Sequence, residues 1–271
     1  MSMTTSQIKP LTASPDVQFL SVTTDTGQAD IAYLQRLAAS SNRPGLVWLG
    51  GFKSDMRATK ATALDGWAAE AGRACLRFDY SGHGESGGAF DEGTISRWLQ
   101  ESLAVLRNVT QGPQVLIGSS MGGWISLLLV RELIRLGEEH RLAGLVLIAP
   151  AVDFTEELMW ANLPACAKKD IETKGFWMRP TQYAPEPYPI TRALIEDGRK
   201  NLLFGQDIRT HCPVHILQGM EDPDVTWPQA MKLVEHLAHD PVVLTLIKQG
   251  DHRLSRDEDL ALLRQAVEGI A

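Results

Sequence analysis

Only three cysteines occur in 271 residues, Cys75, Cys166 and Cys212. A sparse, odd set leaves no disulfide framework and fits a reducing compartment, so each thiol is expected to pack as a small buried apolar residue. No apolar run approaches the roughly 20 residues that span a bilayer. No run of lysines and arginines is present, which argues against nucleic acid or an anionic membrane as the main partner. The leading residues MSMTTSQIKPLTASP lack the apolar stretch of a signal peptide, and no arginine precedes Arg36, where a transit peptide would carry several. The cytoplasm is therefore the expected compartment. Internal repeats and low-complexity segments are also missing. What remains is an ordinary globular composition, 44% hydrophobic and 22% charged with a net charge of −7, enough to bury one large core.

The chain is organised as short apolar runs alternating with amphipathic stretches. Residues 17–22 and 28–37 read as strands around the hairpin signal Asp25-Thr26-Gly27. Further strands are expected at 45–49 (GLVWL), 74–78 (ACLRF), 114–117 (QVLI), 142–148 (LAGLVLI), 214–217 (VHIL) and 242–247 (VVLTLI). Helices are expected at about 58–71, 94–109, from Ser120 onward, 228–239 and 257–270. Runs apolar throughout need cover on both sides, so the pattern implies a mostly parallel eight-stranded α/β sheet with helices on both faces. The alternation breaks after Pro150, and a structureless loop of some sixty residues is improbable inside one domain. Residues 1–271 are thus expected to form a single domain, with 151–212 a helical cap inserted in it. Asp153 with Glu156 three residues on suggests a capping box opening the cap, and Pro180, Pro185, Pro187 and Pro189 mark an irregular return.

Gly118-Ser119-Ser120-Met121-Gly122 fits the pattern G-x-S-x-G, a sharp strand-to-helix turn that thrusts a serine oxygen toward substrate. Gly84-Glu85-Ser86-Gly87-Gly88 fits it too. Context separates the two. Ser120 follows an apolar strand and precedes an apolar helix, whereas Ser86 sits in a long glycine-rich loop and reads as a turn residue.

A serine hydroxyl needs a histidine to take its proton and a carboxylate to hold that histidine in the right tautomer. On this kind of sheet the order is serine, acid, histidine, each after a late strand. Gly250-Asp251-His252 follows the last strand, so His252 is the expected base. The six other histidines lie on helices, in a charged stretch, at the wrong end of a strand, or, as with His83, in the loop of the second serine motif. His83 is expected to line the site or, more simply, to pack. Asp222 is the preferred acid, in competition with Glu221, Asp224 and Asp251. His236 and His239 form H-x-x-H without a third ligand at matching spacing, so no metal and no cofactor are called for. The oxyanion of a tetrahedral intermediate wants two fixed N–H donors. Position assigns them to Met121, just after the serine, and to Phe52 in the Gly50-Gly51-Phe52-Lys53 loop after GLVWL.

The blocks GGFKSDMRATKA, RFDYSGHGESGG, GSSMGGW, QGMED and GDHRLS together resemble the α/β-hydrolase family, of the type acting as palmitoyl-protein thioesterase and acyl-glucuronide esterase. The resemblance implies the α/β-hydrolase fold and hydrolysis of a small-molecule ester or acyl-thioester, with the triad matching Ser120, Asp222 and His252. Met159, Trp160, Phe176, Trp177 and Met178 of the cap would suit an acyl pocket, or simply pack the cap in place. A prolyl-oligopeptidase-type peptidase, an acyltransferase and a binding protein on a hydrolase scaffold remain as alternatives. Haloalkane dehalogenase chemistry is excluded, since it needs an aspartate at position 120.

Overall fold

The computed structural model describes residues 15–39, 42–180 and 186–270. In chain order the strands are β1 (Val17–Thr24), β2 (Gly27–Arg36), β3 (Gly45–Leu49), β4 (Cys75–Phe78), β5 (Gln114–Ser119), β6 (Leu142–Ile148), β7 (Phe176–Arg179), β8 (Tyr188–Thr191), β9 (Val214–Gly219) and β10 (Val242–Ile247). The helices are α1 (Thr59–Glu70), α2 (Ile95–Val109), α3 (Met121–Arg135), α4 (Ala165–Lys174), α5 (Arg192–Lys200), α6 (Trp227–His236) and α7 (Asp257–Ile270). Eight strands form one sheet in the order β1-β2-β4-β3-β5-β6-β9-β10. Only β2 runs against the rest. The expected mostly parallel eight-stranded sheet is the one found.

β3 shows why the core sits on both sides. All five of its residues are buried. Leu46 and Trp48 join one apolar cluster, Val47 and Leu49 the other, as the alternation of side chains along a strand requires. Leu64 and Trp67 of α1 with Leu263 and Val267 of α7 cover the first face. Trp98 of α2, Trp124 and Leu128 of α3 and Leu233 of α6 cover the second. Full burial of one such large apolar side chain contributes on the order of 1.5–3 kcal/mol. Between β3 and β5 the strand order reverses, because β4 lies on one side of β3 and β5 on the other. In open α/β sheets the crevice for a ligand opens at the carboxyl ends of the strands at such a reversal. Those two carboxyl ends carry Gly50 to Lys53 and Ser120.

Among the described residues, the segment between β6 and β9 contributes no strand to the main sheet. It holds α4 and α5, a π-helical turn at Thr155–Met159, and an antiparallel ribbon of β7 and β8. The ribbon corrects the expectation of a purely helical insert. Pro187 immediately precedes β8 and Pro189 lies within it, on a strand whose outer edge tolerates the missing N–H. Pro185 is outside the described residues, as are the first fourteen residues on which the reading of the leader depends.

Two further expectations are corrected. Asp153 does not form a capping box. It is buried with φ of 55°, and its carboxylate accepts the amides of Leu203 and Phe204 at 2.8–3.0 Å, tying the returning end of the insert to its start. Its turn is closed through the backbone instead, with Glu156 N–H and Glu157 N–H donating to Asp153 C=O. Cys166 is exposed, unlike Cys75 and Cys212. On α4 only Ala167 and Ile171, one turn apart, face inward, and position 166 falls off that stripe.

Candidate active site

Ser120 occupies the turn between β5 and α3 with φ 54° and ψ −118°, a conformation costly for any residue with a side chain. Close packing enforces it. A Cβ on Gly118 would stand 2.3 Å from Gly122 C=O, and one on Gly122 would stand 2.1 Å from Leu49 C=O. The two glycines thus let the start of α3 press against β3 and β5. Ser120 N–H donates to Ile148 C=O at 2.9 Å, while Ser120 C=O accepts from Gly123 and Ala151. The backbone is held from both sides, and the hydroxyl projects from the turn.

His252 Nε2 lies 3.1 Å from Ser120 Oγ, and His252 Nδ1 lies 2.7 Å from Asp222 Oδ2. Asp222 is buried, and its Oδ1 accepts from the amides of Asp224 and Val225 at 2.8 and 2.9 Å. With the carboxylate accepting, Nδ1 must donate. Nε2 then carries the lone pair that receives the Ser120 proton. Among the four acids in contention, Asp222 holds the ring through the 2.7 Å bond to Nδ1. Glu221 and Asp224 are exposed, and Asp251 accepts from the amides of Arg253 and Leu254, shaping the His252 loop. Lys60 of α1 donates its ammonium to Arg253 C=O in the same loop.

Asp222, Asp224 and His252 form a group of three whose ligand atoms come within 4.8 Å of one another, the geometry a metal ion could use. The donor set argues against it: Asp222 Oδ1 takes two amides and Oδ2 takes the imidazole N–H, so the buried acid has little electron density left for a cation. His236 and His239 do not converge on a common point. His236 bonds to Lys232 C=O and Gly205 N–H, while His239 pairs with Asp207.

The loop after β3 lies beside the serine. A Cβ on Gly51 would stand 3.4 Å from Ser120 Cβ and 4.0 Å from its Oγ, ordinary contact distances that put this stretch of backbone next to the hydroxyl. Met121 opens α3, where amides have no carbonyl one turn back to bond. Phe52 extends its ring into an aromatic cluster, with centroids 5.0 Å from Phe90, 6.0 Å from Trp98, 5.6 Å from Phe154 and 5.8 Å from Tyr188. Phe154 and Tyr188 belong to the inserted segment, which therefore packs directly on the loop flanking Ser120. Lys53 places its ammonium 4.8 Å from both the Phe90 and Tyr188 ring centres. Ser86, the second motif serine, has its hydroxyl spent at both ends: it donates to Asp79 C=O and accepts Ala32 N–H.

The residues expected to line the insert divide. Met159 is buried, Trp160 and Trp177 pack partly buried against the core, and Phe176 and Met178 are exposed on the outer side of β7. The rings around Phe52 come instead from Phe90, Phe154 and Tyr188, single aromatics with no periodic signal. A Ser–His–Asp chain of this geometry, on a strained turn beside a close-approaching backbone loop, suits nucleophilic attack on a carbonyl carbon.

The profile of the alpha/beta hydrolase family matches residues 41–265. Among relatives, the human protein "Palmitoyl-protein thioesterase ABHD10, mitochondrial" is 31% identical over 242 residues, covering 89% of this chain and 77% of the relative. A solved structure from Agrobacterium vitis S4 superposes with a TM-score of 0.89 at 48% identity, covering 94% of this chain and 98% of that one. Mouse alpha/beta hydrolase domain-containing protein 10 superposes with a TM-score of 0.79 at 32% identity, covering 94% and 97%. These relatives correct the expected compartment: the curated ones are mitochondrial by name, not cytoplasmic. Sparse cysteine and an arginine-poor lead speak to redox state and to one kind of signal, and neither specifies an address.

Proposed function

The chain belongs to the alpha/beta hydrolase family, and from that premise we propose that it is a serine hydrolase cleaving carboxylic esters or thioesters through an acyl-enzyme. The observation that carries the reading is the continuous chain from Ser120 Oγ through His252 to Asp222, with contacts of 3.1 and 2.7 Å. Ser120 Oγ attacks the carbonyl carbon as its proton passes to His252 Nε2. The resulting imidazolium is held by the Asp222 carboxylate. The oxyanion is received by the N–H groups of Phe52 and Met121, fixed donors of the kind whose loss costs about 10²–10³ in rate. Collapse of the tetrahedral species breaks the bond to the alcohol or thiol, which leaves with the proton from His252. Water then gives its proton to His252, attacks the acyl carbon, and frees the acid and Ser120.

The substrate side of the reading rests on the relatives named as palmitoyl-protein thioesterases and on the aromatic cluster around Phe52. We assign the segment spanning 151–212 as a cap on a single hydrolase domain, since Phe154 and Tyr188 seat it on the Phe52 loop. Hydrolysis of p-nitrophenyl esters and acyl-thioesters of increasing chain length, by wild type and Ser120→Ala side by side, tests the proposal. Turnover by the wild type alone is expected. Equal turnover by a folded Ser120→Ala variant would remove the nucleophile assignment.

A further inference from the structure

His83 is buried, 4% exposed, and stands behind the loop that borders Ser120. Its Nε2 lies 3.1 Å from Lys53 N, and its Nδ1 lies 3.1 Å from Ser81 C=O. An amide nitrogen can only donate and a carbonyl can only accept, so the ring is neutral with its proton on Nδ1. Burial pushes its pKa down to about 4, which keeps the imidazole uncharged at neutral pH. Rings of Tyr80, Phe90 and Trp98 pack edge-on around it at 5.2–5.7 Å. Both ring nitrogens of this histidine are spent on backbone.

The backbone it holds is a particular turn. Ser54 N–H donates to Gly51 C=O at 3.1 Å, closing a four-residue turn of Gly51, Phe52, Lys53 and Ser54. Lys53 has φ of 58°, and Phe52 is not among the residues of positive φ. A positive φ at the third position alone defines a type II turn, where glycine is the favoured residue. Lysine pays strain there, and the alternative type I turn would flip the middle peptide and turn Lys53 N–H away. His83 Nε2 accepts the N–H of that same middle peptide. The Gly51–Phe52 peptide is fixed in the same turn: its carbonyl faces Ser54, so Phe52 N–H points to the opposite side.

We propose that His83 is a positioning residue for the oxyanion site: its neutral imidazole anchors the Lys53 amide and with it the whole Gly51–Ser54 turn, so that the Phe52 N–H is held in place beside Ser120. The inference rests on the reading of Phe52 as an oxyanion donor and extends it to what holds the donor in place. Donors contribute to rate only when they need no reorganisation as charge develops. A loosened turn therefore lowers kcat and leaves substrate binding in the ground state nearly alone.

The test pairs kinetics with nitrogen NMR of the imidazole, using the full chain. His83→Ala is expected to lower kcat on p-nitrophenyl esters about ten- to a hundredfold, with KM changed less than about threefold, part of the loss of a whole donor. His83→Gln, whose side-chain carbonyl can reach the Lys53 amide, is expected to recover most of kcat. Thermal melting of both variants separates folding from positioning. A folded His83→Ala with wild-type kcat overturns the proposal, as does a His83→Gln no faster than His83→Ala at equal melting temperature. In the wild type, the nitrogen spectrum at pH 7 is expected to show a neutral ring protonated at Nδ1. A ring protonated at Nε2 overturns the proposal whatever the kinetics. Wild type inert toward every ester would instead sink the hydrolase reading, and the spectrum would then decide whether His83 holds the turn.

Discussion

Replacing Asp222 by asparagine changes one atom and inverts the hydrogen-bond logic of the site. Oδ1 accepts two amides at 2.8 and 2.9 Å, whereas Oδ2 faces His252 Nδ1 at 2.7 Å and Gln218 Nε2 at 3.4 Å. An asparagine must choose which position receives its NH2. Placing it against two short amide donors is worse than placing it against one histidine nitrogen and one long contact, so the carbonyl stays on the amides. The NH2 then points at His252 Nδ1 and donates. Nδ1 is forced to accept, the ring proton moves to Nε2, and the lone pair that should receive the Ser120 proton is gone. The same tautomeric inversion in a serine protease triad lowers kcat about 10⁴-fold, equivalent to about 5 kcal/mol of barrier. Folding should suffer far less, about 1–2 kcal/mol, because two of the three close contacts to the side chain survive. The assay is kcat on a p-nitrophenyl ester together with the melting temperature of Asp222→Asn. A folded variant within tenfold of wild type would refute the relay reasoning.

Three further outcomes are expected. Gly122→Ala puts a methyl 2.1 Å from Leu49 C=O, so it should destabilise by about 1–3 kcal/mol or more through forced separation of α3 from β3, seen as a lowered melting temperature; an unchanged Tm would contradict the packing argument. A maleimide at pH 7.5 should label one thiol per native chain, Cys166, because burial pushes Cys75 up to about 12 and Cys212 up to about 11; peptide mapping that finds Cys75 labelled as fast would contradict this. The folded-state pKa of His83 lies below its unfolded value, so the unfolded chain binds the extra proton first as pH falls. The contribution of His83 to stability is then whole above pH 6.5 and is lost as pH falls to about 4; it totals on the order of 3 kcal/mol, and chemical denaturation of wild type against His83→Gln across that window should show the wild type falling more steeply.

The sheet is legible in the chain because its strands are short apolar runs that need cover on both faces, and β3, β4 and β5, with every residue buried, are the extreme cases. The ribbon of β7 and β8 is not, since FWMR and YPIT are four residues each, half-exposed, with a proline inside. Ser120 and His252 stand out as candidates because both follow strands at one end of a parallel sheet. Choosing among Asp222, Glu221, Asp224 and Asp251 needs distances, which no spacing encodes. Asp153 shows the opposite failure: a local capping pattern is present, yet the carboxylate serves amides fifty residues away. Tyr188, Phe90 and His83 are joined to the Phe52 loop by long-range packing of the same kind, invisible to periodicity.

Catalysis by this triad passes through an acyl group carried on Ser120. Rapid acid quenching of the protein during turnover of a p-nitrophenyl ester, followed by mass spectrometry of its peptides, tests it directly. An acyl mass is expected on the peptide containing Ser120, absent from Ser120→Ala and accumulating when deacylation is slow. Acyl label on another residue, or label that survives Ser120→Ala, would contradict it.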